Sequence, residues 1–374
     1  MGLTSRKLEL LAAVLALAAV VATVWLWPRL AGRNWRALLG RSVVLLLGQA
    51  LTLSAVALAT NDWGGFYSSW GDLLGTDRGG IEFNAHASAH EPVRILGAKP
   101  VPLMLKNVPP GGSGGVVQQV TILGGRTGIV QSAYVYLPPQ YFQPGYAHRT
   151  FPTVVVLTGY PGSPQNLISR MKVHTVAAQA IYRKQMQPAV LVLTRPSVAL
   201  PRDTECQDVP GGPQARTFLA QDLRRAIAAR YRVGTSARSW GVLGYSTGGY
   251  CALALAMRDA GAYTAAASLS GDYAVRTDAT TGDLFHGDAR LRRQADLLWR
   301  LRNLPMPPVS VLVASSHSGE ADYRATRAFI AAARPPLNVA SLFLPSGGHN
   351  FDTWSRELPT ALVWTANQLR AGPR

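Results

Sequence analysis

An α/β fold built on a mostly parallel sheet is predicted by three observations. Continuous apolar runs such as Phe151 to Thr158 and Ala189 to Thr194 read as strands buried on both faces, the signature of parallel strands. Segments with helical apolar spacing alternate with them, which requires helices on both faces of one sheet. Finally, the short apolar run Trp240 to Leu243 passes through Gly244-Tyr245-Ser246-Thr247-Gly248-Gly249 into a helix-like run, Tyr250 to Arg258. That order is strand, tight turn and helix with a serine at the apex, the G-x-S-x-G nucleophile elbow. Its glycines are required because a Cβ beside so sharp a turn would strike the strand or the new helix. The plainer alternative is a glycine-rich turn whose serine only caps the helix.

The front of the chain is different. Leu10 to Trp27 and Ser42 to Thr60 are uncharged apolar runs, each long enough to cross ~30 Å of hydrocarbon as a helix. Trp25, Trp27 and Trp63 stand at their ends, where indoles favour the membrane interface. Arg29, Arg33, Arg36 and Arg41 lie between the runs with no acid among them. The positive-inside rule puts that loop in the cytoplasm and everything after Thr60 outside. A signal peptide followed by a buried helix is the competing reading, but the first run is long for a signal core and lacks a convincing small-x-small cleavage site before the arginines. Residues 1–60 are thus expected to be a membrane anchor, 61–115 a linker and 116–374 the catalytic domain. His86 and His90 fall in the linker without metal-like spacing, and Pro109-Pro110-Gly111-Gly112 marks a turn or hinge.

From Val116 the elements follow in order. Val116 to Leu123 and Ile129 to Leu137, split by Gly124-Gly125-Arg126-Thr127-Gly128, read as a hairpin. The strand Phe151 to Thr158 runs into Gly159-Tyr160-Pro161-Gly162. A helix is expected around His174 to Arg183, then the strand Ala189 to Thr194 and a long loop, Arg195 to Gln214. Thr217 to Tyr231 has helical spacing at Leu219, Leu223, Ile227 and Tyr231. After the elbow, strands are expected at Thr264 to Leu269, Val309 to Ser315 and Val339 to Leu344, and helices at Leu291 to Leu301, Tyr323 to Ala333 and Trp354 to Leu369. With its opening hairpin this is the α/β-hydrolase arrangement, whose ligands sit beyond the carboxyl ends of the strands.

A serine hydroxyl is a weak nucleophile and needs a base, which in turn needs an orienting acid. In this arrangement the chain order is Ser, then acid, then His. His286, His317 and His349 follow Ser246. His349, in Ser346-Gly347-Gly348-His349-Asn350-Phe351 after the final strand, is the expected base, and His317 a loop residue. The acid is expected after Val309 to Ser315, in Ser316-His317-Ser318-Gly319-Glu320-Ala321-Asp322. Glu320 is preferred, because Asp322 is placed to start the helix at Tyr323; Asp272 is a more distant candidate. The oxyanion donors are expected to be the backbone N–H groups of Thr247 and Tyr160.

Cys206 and Cys251 are the two cysteines. A bond between them would pin the long loop beside the elbow, in keeping with an oxidising exterior. No His, Cys or Asp cluster has metal-ligand spacing, and no cofactor is indicated. The formal charge of +17 is carried almost wholly by arginine, which favours contact with anionic lipid or cell-wall polymer. Without a basic stripe interleaved with aromatics, it does not indicate nucleic acid.

Gly244-Tyr245-Ser246-Thr247-Gly248-Gly249 together with Gly348-His349-Asn350-Phe351-Asp352-Thr353-Trp354 resembles the esterase D-type esterases. These include feruloyl esterases, S-formylglutathione hydrolases and the secreted mycolyltransferases of actinobacteria, whose His-x-aromatic-x-x-Trp pattern is the most similar. The resemblance covers about Val116 to Leu369. It implies a serine esterase or acyltransferase and carries over Ser246 and His349; a gapless comparison favours Asp322 as the acid, a one-residue gap Glu320. The family's trehalose-binding residues have no counterpart located here. The resulting expectation is a membrane-anchored, extracytoplasmic serine esterase acting through Ser246, His349 and Glu320. Acyl transfer to an envelope glycan or lipid and non-catalytic envelope binding are the alternatives.

Overall fold

The computed structural model describes residues 2–3, 5–64, 70–73, 92–103 and 113–371. The chain divides into two compact units, Met1–Arg78 and Gly79–Arg374. In the first, helices run Arg6–Leu26 and Trp35–Gly64, both long and apolar enough to cross a membrane. Leu10, Leu17, Leu46 and Leu53 stand exposed on them. Pro28 lies in the 3-10 turn Trp27–Leu30 that follows the first helix, as expected of a residue that cannot donate within a continuing helix. The Arg29 guanidinium sits 3.7 Å over the Trp25 ring, and Arg41 donates to the Gly32 carbonyl at 2.8 Å. His86, His90 and residues 109–112 lie outside the described residues.

The second unit is organised on a nine-stranded sheet: β1 Val93–Pro102, β2 Ser113–Leu123, β3 Val130–Leu137, β4 Thr153–Leu157, β5 Val190–Thr194, β6 Trp240–Tyr245, β7 Ala265–Leu269, β8 Ser310–Ser316 and β9 Asn338–Leu344. The order is β1-β2-β3-β5-β4-β6-β7-β8-β9. The pairs β1–β2, β2–β3 and β3–β5 are antiparallel, and all the others are parallel. This is the α/β-hydrolase fold with its opening hairpin.

One expectation is corrected. The stretch 61–115, read as a linker, contains β1, and the second apolar helix continues to Gly64. Gly97, Pro100 and Pro102 argue against a central strand, but β1 lies at the sheet edge, where proline is tolerated. Its register slips between Ile95 and Gly97 and again between Pro100 and Pro102. The sheet therefore begins ahead of residue 116.

The central strands are buried along their whole length, and their alternate residues feed two cores. Val155, Val242 and Val313 pack with Phe218, Leu253 and Phe329 on one face. Val154, Val156, Leu243 and Leu312 pack with Ile181, Leu358 and Leu362 on the other. The helix expected over Leu291 to Leu301 is two, Ala289–Ala295 and Leu297–Asn303, broken at Asp296, whose side chain accepts from the Trp299 N–H. The helical stretch from Ala215 passes through a π segment, Phe218–Asp222, before Leu223–Arg230.

Because β4, β6, β7, β8 and β9 are parallel, their carboxyl ends share one rim. Gly159, Ser246, Ser270, Glu320 and His349 each follow one of these ends.

Candidate active site

Ser246 joins β6 to the elbow helix Thr247–Arg258 with φ 56 and ψ −127. Few side-chain-bearing residues adopt this region, and those that do are held there by their surroundings. Here the Ser246 N–H donates to the Leu269 carbonyl at 3.1 Å, and its carbonyl accepts from Gly249 and Tyr250. The glycines are sterically obligatory. A Cβ on Gly244 would lie 2.3 Å from the Gly248 carbonyl oxygen, and one on Gly248 would lie 2.3 Å from that of Thr158. The turn is therefore wedged between its own helix and the end of β4. A Cβ on Gly159 would come within 2.9 Å of the Ser246 Cβ, so the loop after β4 lies directly against the nucleophile. An oxyanion donor, the Tyr160 N–H, is expected from this same loop on sequence grounds.

The His349 Nε2 is 2.8 Å from the Ser246 Oγ. Two residues 103 positions apart are thus brought into hydrogen-bond contact. The base loop is held from below. Asn350 caps the helix Phe351–Asn367, its side chain accepting from the Thr353 N–H. The Gly348 N–H donates to the Thr353 Oγ1 at 2.8 Å. The imidazole packs edge-on against Trp354 at 5.1 Å, Phe351 meets the same indole at 5.1 Å, and Trp354 stacks on Tyr245 at 4.4 Å. The His-x-aromatic-x-x-Trp spacing now has a physical reason: one helical turn places Trp354 under the imidazole, resting on the residue that precedes the nucleophile.

Desolvation lowers the pKa of His349 below the ordinary 6.5; Asp272 and Glu320 act to raise it, and Arg276 to lower it. A neutral imidazole is the form that can accept the serine proton.

Among the described residues, no carboxylate is hydrogen-bonded to His349. Glu320 is engaged elsewhere: Oε1 accepts from the Ser270 Oγ at 2.6 Å, and Oε2 from the Ser315 Oγ at 3.0 Å and the Ser316 N–H at 2.9 Å. It therefore faces the base as a charge rather than as a direct partner. Asp272 acts on the ring more strongly than Glu320 does; both its oxygens are held at 2.7 Å by Arg276, whose charge opposes it in part. Asp322 precedes the helix Tyr323–Ala332 as expected, yet its side chain does not cap it. It accepts instead from Thr326 at 3.3 Å and competes with Glu320 for the one hydrogen of the Ser315 hydroxyl, 3.2 Å away. Burial and the nearby Glu320 push its carboxyl up to about 6. His317 lies against Tyr323 and Phe343, away from this contact.

Thr247 is the first residue of the elbow helix, where backbone N–H groups lack intrahelical acceptors. Its side chain reaches Asp203 Oδ2 at 3.5 Å. Asp203 is buried, accepts from the Ser197 hydroxyl and accepts from the Glu205 N–H at 2.9 Å. Tyr160 anchors the facing loop by donating its phenol to the Pro201 carbonyl. Cys206 and Cys251 are bonded, which ties this loop to the elbow helix. The Gln207 amide donates to the Tyr250 hydroxyl at 3.0 Å, and Arg258 donates to Gln207 at 2.8 Å.

A serine at a strained strand–helix turn, touched by an imidazole at the carboxyl rim of such a sheet, defines the serine hydrolase class of α/β-hydrolase chains. A model of the family described as "Putative esterase" matches residues 126–365, and the chain belongs to that family. The fold is similar to that of a ferulic acid esterase (TM-score 0.58, 16% identity, covering 68% of this chain and 98% of that one). It is also similar to that of an S-formylglutathione hydrolase from Agrobacterium tumefaciens (TM-score 0.59, 15% identity, covering 74% and 100%). A curated Corynebacterium glutamicum protein, described as "Uncharacterized protein", is 24% identical over 247 residues, 64% of this chain and 57% of that protein. The chain thus spans little more than half the length of that relative.

Proposed function

We propose that this protein is a membrane-anchored serine esterase whose catalytic unit works outside the cytoplasmic membrane. The observation that carries the reading is the 2.8 Å contact between Ser246 Oγ and His349 Nε2 at the elbow. Ser246 Oγ attacks the ester carbonyl as its proton passes to His349 Nε2. The carbonyl oxygen becomes an oxyanion, for which the backbone N–H groups of Thr247 and Tyr160 are the proposed donors. Collapse breaks the ester bond, and His349 returns the proton to the departing alcohol. Water then attacks the acyl-enzyme by the same relay and releases the acid and free Ser246. Glu320 supplies negative charge that favours the imidazolium formed in each half-reaction.

Anchoring is supported by the two apolar helices, and the orientation by Arg29, Arg33, Arg36 and Arg41 between them. Protease treatment of inside-out membrane vesicles checks it, with full protection of the catalytic unit expected. Cleavage of that unit would reverse the topology.

Ser246→Ala should abolish p-nitrophenol release from short acyl esters and labelling by a fluorophosphonate. Undiminished labelling would remove Ser246 from the chemistry. The same acyl-enzyme would serve transfer to a glycan or lipid hydroxyl of the envelope. Product analysis with an added acceptor alcohol separates the two, and free acid as the sole product is the esterase outcome.

A further inference from the structure

The elbow strand has a second end. Ser246 follows the carboxyl end of β6, and Trp240 stands at its amino end, roughly 20 Å away along the strand. A cavity of 220 Å³ opens there, its wall including Gln221, Arg224, Arg225, Thr235 and Trp240. That volume lies below the ~300–1,000 Å³ of sites that enclose drug-sized molecules, so it suits a small group.

Arg224 is the unusual member of the wall. Its guanidinium lies 5.2 Å over the Trp240 ring and 5.8 Å over that of Tyr263. Nη2 donates to the Thr235 carbonyl at 3.0 Å, while Nε is shut off from solvent and has no partner among the described residues. A guanidinium carries five N–H donors, and the Thr235 carbonyl is the one acceptor they meet among the described residues. No carboxylate compensates the charge: burial lowers the pKa of Arg224, and only Tyr263 opposes that. A half-buried cation with no anion beside it is costly.

The rest of the wall has the same sign. Arg225 is next along the helix Leu223–Arg230, and among the described residues it has no carboxylate partner. Gln221 accepts from Arg126 Nη1 at 2.9 Å through its amide oxygen, which leaves the amide hydrogens to donate. It stands three and four residues before the two arginines, so one helical turn gathers all three side chains. The cavity is thus walled by donors and positive charge.

We infer that this cavity is a binding site for a phosphoryl group, held between Arg224 and Arg225 with the Gln221 amide completing the cradle. A carboxylate has two oxygens in one plane, and a single guanidinium satisfies both. Donors from three side chains match a tetrahedral group with more oxygens. Inorganic phosphate and the headgroup of an anionic phospholipid share that chemistry, and the net charge of +17 attracts either. The site shares no residue with the Ser246–His349 pair and does not depend on its chemistry.

The test follows thermal unfolding of the full chain in detergent at constant ionic strength. Inorganic phosphate is added in one arm, short-chain phosphatidylglycerol in a second and chloride as the control. At least one phosphoryl probe should raise the midpoint progressively with concentration, as binding to the folded state requires, and chloride should not. A rise with phosphate alone assigns the site to the free ion, and a rise with the lipid alone to a headgroup. A rise with both means that the phosphoryl group is recognised whatever carries it. Arg225→Gln should need about tenfold more probe for the same rise. Arg224→Met keeps an apolar stem against Trp240 and should lose the rise. Fluorophosphonate labelling should stay within about twofold of native in both variants, because the sites are far apart. No rise beyond that of chloride with either probe would overturn the proposal. An undiminished rise in either variant would do the same, since it would report a diffuse basic surface. If Arg224→Met does not fold, Arg225→Gln decides alone, and a native response there sinks the idea.

Discussion

Ser246 and Glu320 reach the same rim of the sheet by opposite means. The serine is held by backbone: a positive φ, a carbonyl acceptor on Leu269, and glycines pressed against main-chain oxygens. The carboxylate is held by Ser270 and Ser315 hydroxyls and the Ser316 N–H, brought from the ends of two strands. A backbone mould leaves no slack, because a clash with main chain has nowhere to relax. A side-chain cradle is adjustable, and losing one donor leaves others in place. Damage to the elbow should therefore be abrupt, and damage to the carboxylates graded.

The sharpest way to break that contrast is Gly248→Ala. Its methyl would sit 2.3 Å from the Thr158 carbonyl oxygen. A loss of about 3 kcal/mol or more in stability is expected, with labelling down at least about 100-fold in whatever folds. Thermal melts and fluorophosphonate labelling measure the two, and near-native values would show that the elbow yields.

Glu320→Gln comes next. It should lower kcat between roughly tenfold and 100-fold, short of the roughly 10⁴ lost where a triad carboxylate bonded directly to the base is neutralised. The double change Asp272→Asn with Arg276→Gln should cost less than about threefold, since the removed pair is self-neutralising. Equal losses in steady-state kinetics would mean that the base depends on Asp272 as much as on Glu320.

The smallest effect is in pH. Desolvation sets the His349 pKa below 6.5, and protonation disables the base. The midpoint of the acid limb of activity should therefore lie below pH 6.5. Glu320 raises that pKa, so Glu320→Gln should move the acid limb of kcat/KM to still lower pH. A limb displaced upward would contradict the cradle geometry.

This contrast also explains what could be read from the residues alone. The elbow was legible because its glycine requirement is local, and His349 because chain order and flanking glycines single it out. The parallel strands were legible because burial on both faces leaves unbroken apolar runs such as Thr153–Leu157. The acid loop could be located, but the roles of Glu320, Asp322 and Asp272 depend on donors supplied by other strands and by Arg276. Sequence spacing cannot place those. Strand β1 escaped notice because its prolines are tolerated only by virtue of its edge position.

The Cys206–Cys251 bond spans 45 residues of sequence, a loop whose closure removes freedom from the unfolded chain worth about 4 kcal/mol. Those residues include the elbow itself, and Asp203, whose carboxylate reaches Thr247, stands just ahead of Cys206. Thiol reductants are routine in purification buffers, and here they would hand that freedom back while leaving serine and imidazole chemically untouched. Preparations handled with and without them should be treated as two different samples.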